Sequence, residues 1–166
     1  MSESISALQA QLFSQPAANV FAILDGASIP DLLAQLEQYQ PEYGCLYRGE
    51  LPADLAAAAP YLVRLEQGSA LVKWLLLEGW GRHWGIFAVA KANLRTMRQH
   101  FRSLLTVQLP DGKTVYFRFY DPRVFRTFLP TCRDEERQRL FGPILQYWVE
   151  SGHEETIFLP FSLKEN

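Results

Sequence analysis

The chain has 166 residues, 48% hydrophobic and 20% charged, which fits one globular domain with a real core and excludes a disordered chain. Its net charge is −2, but residues 82–139 carry +7 and the remainder −9, an asymmetry that suits an acidic protein partner or nucleic acid. Cys45 and Cys132 form no CxxC pair, no basic and apolar leader opens the sequence, and the longest apolar runs are far too short to span a bilayer; a cytoplasmic protein with reduced thiols and no membrane contact is expected.

Residues 2–15 carry Ile5, Leu8 and Leu12 on one helical face. Val20 to Leu24 is an apolar run ending in Asp25-Gly26, read as a buried strand and a turn. Ser28 is the expected N-cap, with Pro30 in the first turn, of a helix bearing Leu32, Leu33 and Leu36. A second strand is expected over 44–47, a short helix over 51–59 and a third strand over 61–65. Ser69 caps an apolar, buried helix over 70–78.

The glycine-rich stretch Gly79-Trp80-Gly81-Arg82-His83-Trp84-Gly85 leads into a strand over 86–89. Asn93 caps a helix with Leu94, Met97, Phe101, Leu104 and Leu105 on one stripe, and Arg95, Arg98 and Arg102 on another side. A hairpin follows, turning at Pro110-Asp111-Gly112-Lys113. Its alternation places Val115, Phe117 and Phe119 on one face and Tyr116, Arg118 and Tyr120 on the other. Asp121-Pro122 opens a helix through Phe128. Residues 131–145 contain another helix, starting near Thr131 or Asp134, with Leu140, Phe141, Ile144 and Leu145 on its apolar side and Pro143 its kink or end, and late strands are expected at 147–149 and 156–159. Interleaved helices and strands around an antiparallel hairpin predict an α/β (α+β) fold: a mixed sheet with a central hairpin and helices packed on it.

Catalytic signatures are missing from the sequence. The 79–85 glycines follow a helix and enter a strand, the reverse of a dinucleotide loop, so a tight connection is the better reading. His83, His100 and His153 have no metal-ligand spacing, and no cofactor is expected. Arg118, Asp121 and Arg123 make an acid–base cluster or, more simply, a structural ion pair, in which Asp121 caps the helix and pairs with Arg118 or Arg123. The basic helix face lacks a nucleic-acid motif.

Several segments resemble one family in order and spacing over residues 20–149. They are Leu24-Asp25-Gly26-Ala27, Ala59-Pro60-Tyr61-Leu62-Val63, Gly79-Trp80-Gly81 with Trp84-Gly85, Leu94 to Leu105 with His100-Phe101-Arg102, and Arg118-Phe119-Tyr120-Asp121-Pro122-Arg123. The family comprises the small effector chaperones, or adaptors, of bacterial type VI secretion, first catalogued as a domain of unknown function. The resemblance implies a single non-enzymatic domain that binds one cognate effector. It further implies help in loading that effector onto the secretion spike, a valine-glycine repeat protein or its PAAR tip. Asp25, Gly26, Gly79, Trp80, Gly81, Arg118, Asp121 and Pro122 look like residues that maintain the shared fold. Arg95, Arg98, Arg102, Tyr147 and Trp148 are the candidate partner contacts. The competing readings are a small enzyme assembled around His83, Arg118 and Asp121, and a nucleic-acid accessory factor.

Overall fold

A computed structural model describes residues 2–153 and 156–163. In chain order the elements are α1 (Ser2–Leu12), β1 (Asn19–Asp25), α2 (Leu32–Tyr39), β2 (Tyr43–Cys45), α3 (Ala53–Ala58), β3 (Pro60–Leu65), α4 (Ala70–Gly79), β4 (Gly85–Ala90) and α5 (Leu94–Leu104). There follow β5 (Thr106–Gln108), β6 (Thr114–Tyr116), α6 (Pro122–Phe128), a 3-10 turn, α7 (Asp134–Phe141), β7 (Ile144–Glu150) and β8 (Phe158–Ser162).

The expected α/β architecture is present, with two differences in the sheet. Six strands pair in the order β2-β3-β1-β4-β7-β8, and every neighbouring pair is antiparallel. The hairpin is not central: β5 and β6 form their own two-stranded sheet.

Helices cover both faces of the large sheet. Leu8 and Leu12 of α1, Leu32 and Leu36 of α2, and Leu71 and Leu75 of α4 pack with Val20, Ala22, Leu24 and Val63 on one face. Met97 and Phe101 of α5, Phe125 of α6 and Phe141 of α7 pack with Phe21, Ile23, Ile86 and Tyr147 on the other. A strand buried on both sides has no polar face, which is why residues 20–24 read as an unbroken apolar run.

The caps at Ser69, Asn93 and Asp121 are all formed, accepting from Val72, Thr96 and Arg123 N–H respectively. Ser28 is not a cap. Asp31 stands at the N-terminus of α2 with φ 55° and no side-chain capping bond, and the Ser28 hydroxyl donates instead to Asp25 Oδ2 at 2.8 Å. The helix expected within residues 131–145, with a kink or end at Pro143, runs over Asp134–Phe141, while Ile144 and Leu145 are not part of its apolar side. It stops at Gly142, whose φ of 47° L side chains rarely adopt, and Ile144 and Leu145 already belong to β7.

Candidate protein-interaction site

Antiparallel pairing brings the quoted motifs to one end of the large sheet. Asp25 at the end of β1 lies opposite Pro60 at the start of β3, and Leu24 lies opposite Gly85 at the start of β4. Backbone bonds tie the junction: Asp25 N–H to Trp84 O at 2.8 Å and Gly26 N–H to Ala59 O at 3.0 Å. Two glycines are required by close approach. A Cβ on Gly85 would sit 2.1 Å from Ile23 O, and one on Gly26 would sit 2.5 Å from Ala59 O. A Cβ on Gly79 would meet the Trp84 ring at 2.7 Å, and Gly81 turns the chain at φ 78°. Trp80 packs edge-on against Phe158 at 5.0 Å.

Asp25 is the anchor of this end. It is 1% exposed, and its carboxylate accepts from Ala27 N–H, the Ser28 hydroxyl and the Arg118 guanidinium. A buried carboxylate needs such satisfaction, since an unpaired one is costly. Burial alone would lower the pKa of the Arg118 guanidinium, but the Asp25 carboxylate and neighbouring Tyr120 hold it above the usual value. Asp121 caps α6 as expected, and its partner is Arg123, at 2.8 Å from Nη2 to Oδ2. Burial pushes the Asp121 pKa upward, but the side-chain and backbone bonds from Arg123 prevail and hold it below the usual carboxylate value. Pro122 is buried in the first turn of α6.

His83, Arg118 and Asp121 do not share a hydrogen bond or an ion pair. Arg118 is engaged by Asp25 and Asp121 by Arg123. His83 Nδ1 lies 3.6 Å from Glu150 Oε1, too long for a hydrogen bond. His83 is also unusual in its backbone, adopting φ 61° in a loop whose glycines were the expected left-handed residues. Glu150, a buried carboxylate that accepts from Gly81 N–H at 3.0 Å, was missed by the sequence reading. Its signal is a lone acid ending the apolar stretch Tyr147-Trp148-Val149.

An open hollow of about 270 Å³ is lined by Asp25, Tyr47, Leu105, Tyr116, Arg118 and Tyr120, among others. The Arg118 guanidinium carbon stands 5.9 Å from the centre of the Tyr120 ring. Burial, with lesser help from Tyr47 and Asp25, pushes the Tyr120 phenol up to about 12. Tyr120 is therefore neutral at physiological pH. The expected hairpin faces hold only in part: Phe119 is buried and Phe117 half-buried against Phe128, but Val115 is exposed and Tyr120 is buried. The regular strand ends at Tyr116, so alternation does not extend through Tyr120. Tyr116, 72% exposed, stands with exposed Leu109 and Val115 on a projecting hairpin.

The nominated contact residues divide. Tyr147 and Trp148 are core residues, 0% and 7% exposed, so neither presents a surface for a partner; the Tyr147 hydroxyl donates internally to Leu140 O. Arg102 is largely committed within the fold. Pro60 has no N–H for Leu46 O in the β2–β3 ladder, and Arg102 Nε supplies that hydrogen bond at 3.2 Å. Its Nη2 also donates to Cys45 O and Tyr47 O. Arg98 is half-buried against Gly44, and Arg95 is exposed. The basic face is thus narrower than helical spacing predicts.

A family model described as Domain of unknown function (DUF4123) matches residues 20–139, well over half the chain. The chain belongs to this DUF4123 family. The match holds every quoted motif from Asp25 to Arg123 and leaves out β7 and β8. No curated protein and no solved structure matches the chain. Among the described residues no helix is long and apolar enough to cross a membrane.

Proposed function

We propose that this protein is a non-catalytic adaptor that binds a cognate type VI secretion effector, keeps it soluble and helps load it onto the spike or its PAAR tip. Membership of the DUF4123 family over residues 20–139 is the observation that carries this reading, taken with the resemblance of those segments to effector chaperones. The geometry supports it in a second way. The motif residues hold one sheet end together, while the hairpin leaves Tyr116, Val115 and Leu109 in solvent, with Tyr116 lining an open hollow. Exposed aromatics at a rim suit recognition of another polypeptide. The protein acts in the cytoplasm and contacts neither nucleic acid nor membrane.

The test is co-expression with the toxin made alongside it in its native cell, followed by affinity purification. The expected result is a stable complex and a larger soluble fraction of the toxin. A toxin that neither co-purifies nor gains solubility defeats the adaptor reading.

A further inference from the structure

Both edges of the six-stranded sheet are partly blocked against additional strands. At β8, Ser151 N–H bonds Ile157 O, and the register continues through Val149 opposite Leu159. Phe158, Pro160 and Ser162 therefore turn their backbone groups outward. Pro160 has no N–H to offer, and Arg137 Nη2 occupies Ser162 O. At β2 the outward carbonyls of Cys45 and Tyr47 both accept from Arg102, at 3.1 and 3.4 Å.

The hairpin has no such guard. Leu109 N–H bonds Lys113 O and Phe117 N–H bonds Leu105 O, so Val107 and Val115 are the hydrogen-bonded pair between them. The N–H and C=O groups of Thr114 and Tyr116 consequently point away from β5. Among the described residues none of these four groups has a hydrogen-bond partner.

Positive charge gathers around Tyr47, the ring neighbour of Tyr116. The Tyr116 ring is 6.1 Å from the ring of Tyr47, whose carbonyl Arg102 holds. Burial lowers the pKa of the Arg102 guanidinium, and the nearby charges of Arg98 and Arg48 lower it further. Arg48 is exposed and Arg98 half-buried. Among the described residues neither has a carboxylate within ion-pairing distance.

We propose that the outer edge of β6 receives an extended, acidic segment of the bound polypeptide as an added strand, with Thr114 and Tyr116 supplying main-chain hydrogen bonds and Arg48 and Arg98 the complementary charge. The proposal rests on the adaptor reading and names how the partner is held. A strand edge matches the alternating donors and acceptors of a peptide, which a phosphate backbone lacks.

The test uses the complex that co-purifies with the full chain. A photo-crosslinking residue at position 114 reports what lies at the hairpin edge, with positions 43 and 162 as controls at the edges of the large sheet. The expected result is a crosslink from position 114 to one partner segment of net negative charge. Amide exchange at Thr114 and Tyr116 should slow about tenfold or more in the complex. Thr114→Pro removes an outward donor without breaking a β5–β6 bond and should weaken binding about tenfold, and Arg48→Glu should weaken it severalfold at low salt. Crosslinks from positions 43 or 162 but not 114, or unchanged exchange at Thr114 and Tyr116, overturn the added strand and leave the adaptor reading standing. A neutral or basic segment, or nucleic acid, crosslinked at position 114 overturns the proposed occupant. Failure of any protein to co-purify overturns the adaptor reading and this proposal together.

Discussion

The motif end of the large sheet and the β5–β6 hairpin both border the hollow that Arg118 lines, yet they are built on opposite terms. Asp25 is 1% exposed and makes three side-chain contacts, whereas Tyr116, two residues before Arg118, is 72% exposed. One region has backbone so close that glycine is obligatory. The other turns at Gly112, where a Cβ would meet nothing within 4 Å. The segments that carry the motifs fix the frame, and the exposed side chains of the hairpin lie next to them.

The sharpest way to break this comparison is a matched glycine pair. Gly85→Ala drives a Cβ into Ile23 O inside the sheet, and should cost roughly 3 kcal/mol or prevent folding, since a packed core does not yield cheaply. Gly112→Ala meets only the backbone strain of φ 87°, and should cost about 1 kcal/mol. Urea denaturation of both variants measures the contrast. Equal losses would mean that the sheet end relaxes as easily as a solvent-exposed turn.

Asp25→Ala comes next. It strips Ala27 N–H, the Ser28 hydroxyl and Arg118 of their acceptor and should destabilise the fold by about 2–4 kcal/mol. Arg118→Ala leaves a buried carboxylate with two remaining donors and should cost less than Asp25→Ala. A reversed order in thermal melts would show that Arg118, and not Asp25, organises the junction.

Asp121→Ala removes the α6 cap and should cost about 1 kcal/mol. Its pH dependence has a definite sign. The folded carboxyl titrates below its unfolded value of about 3.9, so its contribution is full above that pH and fades as the pH falls through the depressed folded value. Wild type should lose stability on acidification below about pH 4 more steeply than Asp121→Asn does. His100 supplies a smaller effect in a higher window. Burial lowers its pKa, the Leu140 carbonyl at 3.0 Å from Nε2 opposing only in part, so the folded state favours the neutral ring. Its contribution is present above the unfolded value of about 6.5 and is lost as the pH falls below it toward the lowered folded value, so stability should decline below about pH 6.5 in wild type but not in His100→Gln.

How much of this was legible in the sequence follows from the range of the forces involved. The caps at Ser69, Asn93 and Asp121 are local devices, and each was read from residue type and position alone. So was the hairpin turn, closed by Leu109 N–H to Lys113 O. Its place outside the large sheet was not legible, because strand order is set by tertiary packing and not by alternation. Tyr147 and Trp148 were misplaced for a related reason. A strand covered on both faces gives no sign of which aromatic reaches solvent, and here neither does. Arg102 was hidden because its role depends on Pro60, 42 positions away, leaving Leu46 O without a ladder partner. Helical spacing placed Arg102 on a basic face; only the fold shows that its guanidinium turns inward to carbonyls.

The last comparison separates binding from stability. Tyr116→Ala removes a side chain that is mostly in solvent, with one ring neighbour in Tyr47, so stability should change by less than about 0.5 kcal/mol. The same change removes the largest exposed aromatic beside the hollow and should weaken partner binding about tenfold, the usual scale for a central aromatic contact. Asp25→Asn is the control on the other region: it should lower the melting temperature while leaving the affinity of the folded fraction close to wild type. Thermal melts and calorimetric titration of the two variants with the co-purifying protein decide the matter. Undiminished affinity in Tyr116→Ala, together with a loss of affinity in folded Asp25→Asn, would move the contact surface from the hairpin to the motif end.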